Sequence, residues 1–591
     1  MPGSSIAILP FVNLSNDPEQ EYFGDGLAEE IINALTQIQG LQVTARTSSF
    51  AFKGQAIDIR QIGRELGVAN VLEGSIRIAG QRVRITAQLV SVADGYHLWS
   101  ENYDRLLDDI FVVQDEISLL IADRIRENSA HFEIADQLVP IPEVDPAEYQ
   151  QFLRARFLVQ KFNRDDVSKG IQMLEVLTQR RANFVAPYLQ LALAYSFMGA
   201  FGVLPSALAF DKARHYLGMV PEKEREGAEY QLRLAGLLYW QEWNLPAAYA
   251  LLKKVLQKQP GNAEAHLWAG VCMVTMEQFS VAHDYLDTAL KLDPFSPLMH
   301  DFKGAAFYFE GQYEKAIAYF RRCLSLDPNF HMSHVNWAAA ELMQGDLQAG
   351  LQRFQNLPPS GLSDLSILGG VTLARSLMGD SEAVSQGIRQ LEVALDTPLA
   401  DRAYFFLILI YTSLEDYEKA LDVLAIATHK RVSMIVALLV EPFMKPLRQK
   451  PRFAAILKDI QRKAAPVLPP EPLKVSPADE EDMRKLEALM QTQAPYLDAQ
   501  LSLRKLAVLA GHHPNYLSRL INECTGHNFA EYTNAFRLAA FAEKAQNPDN
   551  QKLTLLALAY ECGFNSKTVF NTYCKKATGL TPSAYWKSLT T

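Results

Sequence analysis

Two phrases decide how this chain is read: LSLRKLAVLAGHHPNYLSRLINECTG, residues 501–526, and KLTLLALAYECGFNSKTVFNTYCKKATG, residues 552–579. Each runs as a short helix with apolar spacing, a glycine turn, and a second helix carrying small polar and basic residues. That is a helix-turn-helix written twice. In the first unit Leu517, Leu520 and Ile521 can pack inward while Asn515, Ser518 and Arg519 face out. In the second, Val569, Phe570 and Cys574 can pack while Lys567, Thr568, Asn571 and Thr572 face out. Ala507 with Gly511, and Ala559 with Gly563, allow the helices to cross closely. Pro514 suits a first helical turn and Ser566 an N-cap. A helix that enters a major groove needs such an outward face of donors and acceptors over an apolar back. Any solvated helix face shows polar residues too, so the weight falls on two units standing in register.

The charge is divided to match. The whole chain of 591 residues carries −10, yet residues 495–591 hold ten Lys or Arg against six Asp or Glu, a net +4 that leaves −14 for the rest. A basic module on an acidic body is the asymmetry expected when only the module meets phosphate.

Residues 501–585 resemble the AraC-type DNA-binding domain along their whole length. SLRKLAVLAG resembles its first positioning helix and HPNYLSRLINECTG its first recognition helix. FAEYTNAFRLAAFAEKAQ resembles the linking helix, with Arg537 at its usual basic position. LTLLALAYECGF and SKTVFNTYCKKATGLTPSAY resemble the second pair, with the closing G-x-[TS]-P-x-x-Y element. The resemblance implies base-reading roles for Asn515, Ser518, Arg519, Lys567, Thr568 and Thr572, with Asn571 on the same face, and phosphate neutralisation by Lys575 and Lys576. Three positions depart from the family: His513 replaces a hydroxyl cap, Cys574 a phenylalanine, and Trp586 a terminal arginine. Cys574 is expected to remove core volume and Trp586 to remove a phosphate contact.

Upstream, residues 4–135 read as a small α/β domain. SIAILPF and LQVTAR read as strands, GDGLAEEIINALTQI and IDIRQIGRELG as helices, and VLEGSIRIAGQRVRITAQLVSVADGYHLWSENYD as a hairpin or meander. DIFVVQDEISLLIADRI closes the domain as an amphipathic helix. Its phrases AILPFVNLSNDPEQEYFGDGLAEEIINAL, RTSSFAFKG, IGRELGVANVLEGSIRIAGQRVRITAQLV and HLWSENYDR resemble the TolB-amino-terminal-like domain, which implies a regulatory role beside helical repeats. Asp25 is expected to N-cap the first helix, with Asp25, Glu29 and Glu30 solvated around its start rather than catalytic. His97 and Trp99 share one sheet face. Gly24 and Gly26 lack the pattern of a phosphate loop.

Residues 146–463 repeat. Pro260, Pro294 and Pro328 are spaced by 34, as are Gly270, Gly304 and Ala338, then Leu245, Phe279, Tyr313 and Leu347, and Ala248, Ala282 and Ala316. This is the tetratricopeptide signature, a stack of helix pairs that share one core. VEPFMKPLRQKPRFAAILKDI is expected to cap the stack, whose concave surface would offer a groove to a protein or peptide partner. The aromatics of GAAFYFEGQYEKAIAYF are read as core rather than as groove. Residues 464–494 follow as a proline-rich spacer and a helix, either the first of the DNA-binding domain or a dimerising one. Residues 495–591 complete the chain.

Five scattered cysteines without a C-x-x-C suit a reducing compartment and no zinc site. No apolar run approaches the roughly 18–20 residues of a membrane span, and MPGSSIAILPF lacks the layout of a signal peptide. The expectation is a multidomain, mainly α protein: a small α/β amino-terminal domain, a tetratricopeptide α-solenoid and a carboxy-terminal all-α double helix-turn-helix. It is expected to be a cytoplasmic, bacterial, sequence-specific transcription regulator binding double-stranded DNA, not an enzyme, with no cofactor or metal and no membrane contact. Homodimerisation stays open. The alternative is a repeat scaffold whose DNA binding is weak or vestigial.

Overall fold

The description rests on a computed structural model of the chain. It describes residues 5–15, 17, 20–38, 40–80, 82–106, 116–122, 144–160, 164–181, 183–200, 202–359, 363–397, 400–463, 477–512, 514–525, 529–547, 550, 552–578 and 580–590. Within these, the side chains of residues 146, 164, 363, 459–463, 477–480, 515, 518, 519, 522, 523, 568 and 590 lie outside the description. Two compact units divide the chain, residues 1–467 and 468–591.

The first unit begins with a mixed sheet. Strands β1 (Ser5–Ile8), β2 (Val12–Asn13), β3 (Gln42–Val43), β4 (Asn70–Ala79), β5 (Arg82–Ser91) and β6 (His97–Leu106) are arranged in the order β3-β1-β4-β5-β6, with β2 also beside β4. β1 is parallel to β3 and β4, and β4, β5 and β6 form the expected antiparallel meander. The strand expected in LQVTAR is only two residues long, because the chain turns at once into the helix Arg46–Phe50. Helix Ile59–Leu66 stops at Gly67, which takes φ 69° as the helix needs. Of the expected closing helix, residues 116–122 are helical and the remainder lies outside the described residues.

One face of the sheet packs Ile6, Ile8, Leu72, Ile76, Ile85 and Leu89 against Leu27, Ile31 and Leu35 of helix Glu21–Thr36. That core does not stop at the domain edge. It continues into Tyr149, Phe152, Leu153 and Leu174 of the first helical pair. Gly26 marks the contact, since a Cβ there would lie 2.9 Å from Leu153 Cδ1.

The expectation for Asp25, Glu29 and Glu30 is corrected here. Helix Glu21–Thr36 begins four residues before Asp25, so Asp25 is not its N-cap. It is buried, with Lys53 Nζ 2.8 Å from its Oδ1. Glu29 and Glu30 are not simply solvated either. Both meet Arg156 of helix Pro146–Val159, with Nη1 2.6 Å from Glu30 Oε1 and Nε 3.6 Å from Glu29 Oε2. Glu29 also accepts from Gln160 Nε2 at 2.7 Å. These carboxylates hold the α/β domain to the repeats.

The repeats form antiparallel helix pairs. The in-phase pairs are Ala263–Thr275 with Phe279–Leu292, Pro297–Phe309 with Tyr313–Leu326, and His331–Met343 with Leu347–Gln355. Ala228–Trp240 with Leu245–Lys258 precedes them. The 34-residue pattern explains the packing. A Cβ on Gly270 would fall 2.7 Å from Leu286 Cγ, and one on Gly304 2.6 Å from Phe320 Cε1. Small residues here are what let the paired helices approach. A second 34-residue set went unread in the sequence: His266, His300 and His334. Each Nε2 lies 2.8–3.0 Å from the carbonyl oxygen of Pro260, Pro294 and Pro328 respectively, pinning the turn into each new pair.

The segment that follows the last pair is tied into the array. The closing segment crosses the ends of four earlier pairs. Ser433 Oγ is 3.2 Å from Gly199 O, and Arg431 Nη1 is 3.3 Å from Gln241 O. Arg448 Nη1 is 2.9 Å from Glu277 Oε1, and Tyr308 OH donates to buried Glu441. Ser206 donates to Asp401 of the last pair. One hydrophobic core runs from Leu232 through Leu267, Val271 and Ile408 to Leu438 and Met444. The carboxy-terminal end of the array is therefore part of the array's own core. The α/β domain meets the opposite turns: Ala45 N donates to Leu292 O at 2.9 Å, Ser48 donates to buried Asp293, and Phe52 packs edge-on against Phe295.

The second unit contains helices Pro477–Gln493, Leu503–Ala510, Pro514–Thr525, Phe529–Gln546, Leu555–Glu561, Lys567–Thr578 and Pro582–Thr590. It has two small cores, one for each helix-turn-helix. Among the described residues no helix is long and apolar enough to cross a membrane. The proline-rich segment, residues 464–476, lies outside the described residues.

Candidate nucleic-acid interface

The two halves of the second unit are built alike, with matching positions 52 residues apart. Ser502 and Thr554 cap the positioning helices, accepting from the backbone N–H of Lys505 at 3.3 Å and of Ala557 at 3.2 Å. Ala507 and Ala559 are fully buried at the crossings. Gly511 and Gly563 turn the chain at φ 70° and 89°, a region that side chains with a Cβ rarely enter. Gly563 carries a second constraint. A Cβ there would lie 2.2 Å from the carbonyl oxygen of Tyr496.

Each recognition helix starts where the sequence places it. Pro514 opens the first, and Ser566 caps the second, its Oγ accepting from Val569 N at 3.2 Å. Leu517, Leu520 and Ile521 are fully buried in the first core, and Phe570 and Cys574 in the second. Asn515, Ser518, Arg519 and Thr568 stand on these helices, but their side chains lie outside the described residues. Lys567, Thr572 and Lys575 are exposed, and Asn571 is half-buried. Lys567 and Lys575 carry no ion pair among the described residues. Lys576 differs: its ammonium is paired with Glu531 of helix Phe529–Gln546, which raises its pKa above the usual lysine range. It must leave Glu531 before it can serve a phosphate.

Arg537 stays within the fold. It is buried and donates to Tyr496 O at 2.8 Å, Asp498 O at 3.0 Å and Asn534 Oδ1 at 3.1 Å, tying the linking helix to the chain before the first helix-turn-helix. The departures at Cys574 and Trp586 both fall in the fold's interior rather than on the exposed face. Both belong to the second core, where the Trp586 ring lies 5.8 Å from Phe541 and Phe541 lies 4.9 Å from Phe570.

Four residues that hold the recognition helices went unread in the sequence. Tyr516 OH donates to Asp482 Oδ2 at 2.8 Å, and Tyr573 OH donates to Glu531 O at 3.1 Å. A tyrosine near the start of one recognition helix and in the middle of the other offers no periodic signal, so only the fold pairs them.

Comparison with known proteins agrees with this geometry. A family described as "Helix-turn-helix domain" matches residues 506–588, and "Tetratricopeptide repeat" families match residues 239–306 and 302–330. Residues 3–118 match "HilA/YgeH-like transcriptional regulator, second domain". The chain thus carries an AraC-type helix-turn-helix domain, tetratricopeptide repeats and a HilA/YgeH-like amino-terminal domain. A curated relative, "Putative adenylate cyclase 3" of Rhizobium meliloti (strain 1021), is 43% identical over 189 residues, which are 32% of this chain and 32% of that protein. The chain thus matches about a third of that relative's length. Similar solved structures include MamA, 20% identical with a TM-score of 0.22 over 25% of this chain and 87% of that one. PilW, described as a type IV pilus biogenesis factor, is 18% identical with a TM-score of 0.30 over 37% of this chain and 97% of that one.

Proposed function

We propose that this chain is a sequence-specific, DNA-binding transcription regulator of the bacterial cytoplasm. Helices Pro514–Thr525 and Lys567–Thr578 enter successive major-groove turns of one promoter site. The observation that carries this reading is the paired construction of the second unit: two capped positioning helices, two glycine turns and two recognition helices, all joined by Phe529–Gln546. Asn515, Ser518, Arg519, Lys567, Thr568, Asn571 and Thr572 read base edges, and Lys575 meets phosphate, joined by Lys576 once it releases Glu531.

The chain divides in this reading into 4–135, 146–463, 464–494 and 495–591. The first two parts sense a ligand or protein partner, in keeping with the TolB-like character of the amino-terminal phrases and with the HilA/YgeH-like match to a regulator. The reading is non-enzymatic. Asp25, Glu29 and Glu30, the acids grouped in the α/β domain, are engaged with Lys53, Arg46 and Arg156.

A gel shift on genomic fragments, repeated across salt concentrations, tests the reading. The full chain is expected to form a sequence-selective complex that weakens steeply with salt, and Arg519→Ala with Lys567→Ala together to lose about a hundredfold in selectivity, from two base contacts of about 1–3 kcal/mol each. A wild-type chain without selective binding, or a double variant equal to it, contradicts the proposal.

A further inference from the structure

The two halves of the DNA-binding unit are alike in sequence but are not held alike. Helix Pro477–Gln493 sends Met483, Leu486 and Met490 into the first core, beside Leu506, Leu517, Leu520, Ile521 and Tyr532. No residue of that helix enters the second core among the described residues. Its polar edge is equally one-sided. Asp482 accepts from Tyr516 OH at 2.8 Å, within the first turn of helix Pro514–Thr525. His512, in the preceding turn, brings Nε2 to 3.8 Å from the same Asp482 oxygen and sets its ring, tilted by 44°, 4.9 Å from Tyr516. Lys485 Nζ completes the set, 3.4 Å from Asp482 Oδ1. The second recognition helix is fastened to the linking helix instead, through Tyr573 and Lys576 on Glu531.

We infer that helix Pro477–Gln493 is a brace for the first recognition helix alone, and that Asp482, through Tyr516 and His512, positions that helix on DNA. This rests on the DNA-binding reading and deepens it. The tyrosine hydroxyl and the histidine sit at the amino-terminal end of helix Pro514–Thr525, the end that a recognition helix turns toward base edges. A small rotation there moves the base-reading face, while the apolar back keeps the fold. Its effect falls on one half of the DNA site. A change in the brace thereby alters which promoters are bound without abolishing binding, since the second half keeps its own fastening.

The test selects bound sequences from a random duplex library with the full chain, with Arg519→Ala and Lys567→Ala marking the blocks of sequence read by the first and second helices. Asp482→Asn and Tyr516→Phe are each expected to relax the block that Arg519→Ala relaxes. The preference there falls about tenfold, the scale of one hydrogen bond to a charged group. The Lys567 block keeps its preference, and the double variant is no worse than either single one. Relaxation of both blocks, of neither, or of the Lys567 block overturns the inference while the DNA-binding reading stands. If the wild-type chain selects no sequence, that reading fails and the inference with it. Tyr516→Phe removes a single oxygen and keeps the ring, so it decides the question even if Asp482→Asn folds poorly.

Discussion

At the scale of the residue, Gly511 and Gly563 look interchangeable in sequence and are not so in the fold. Both take a left-handed backbone, but a Cβ at 511 meets nothing within 4 Å, whereas one at 563 would meet the Tyr496 and Leu497 backbone. Gly511→Ala should therefore cost about 1–2 kcal/mol, the strain of that backbone region alone. Gly563→Ala should cost clearly more and lower the melting temperature of the DNA-binding unit further. Equal losses in thermal melts of the two variants would contradict this placement. The charged residues teach the same lesson. Asp25, Glu29 and Glu30 follow one another closely and read as a solvated helix start, yet their partners Lys53, Arg46 and Arg156 lie far along the chain. A local reading weighs only neighbours in sequence, and these carboxylates answer to neighbours in space.

At the scale of the element, what was legible was what repeats. The 34-residue spacing names the paired helices, and the alternation of residues 70–106 names the meander, because each pattern reflects a local period. The recognition helices were legible for the same reason, down to the Pro514 start and the Ser566 cap. The long-range ties that close the array were not, since Tyr308 with Glu441, and Ser206 with Asp401 and Ser433, join residues 133 to 227 positions apart. Glu441 also makes the closing segment sensitive to pH. Burial pushes its pKa up to about 7, against the Tyr308 hydrogen bond that opposes the rise. An acid raised in the fold stabilises it fully below the unfolded value, about 4.3, and that contribution is lost as pH rises through 7. Asp293, raised by burial to about 6, acts in the same direction at the α/β contact. Hydrogen exchange of residues 431–448, corrected for intrinsic rates, should be slower at pH 5.5 than at pH 8, and Glu441→Gln should remove most of the difference. Identical protection at both pH values in the wild type would contradict the role given to Glu441.

At the scale of the whole molecule, the chain separates what it carries from what it reads. Residues 1–467 form one unit in which the α/β domain, the repeats and the closing segment share cores and ion pairs. Residues 468–591 form a second unit, and residues 495–591 within it hold a net +4 in a chain of −10. The division suits a regulator whose body alters an output that it does not itself perform. The central claim is that two helices read two successive turns of one DNA face. Methylation interference at guanine N7, which lies in the major groove, tests it most directly on a selected site bound by the full chain. The account predicts two clusters of interfering guanines whose centres are about 10 base pairs apart, with Arg519→Ala erasing one and Lys567→Ala the other. A single cluster, or binding indifferent to methylation at every guanine of the site, would contradict it.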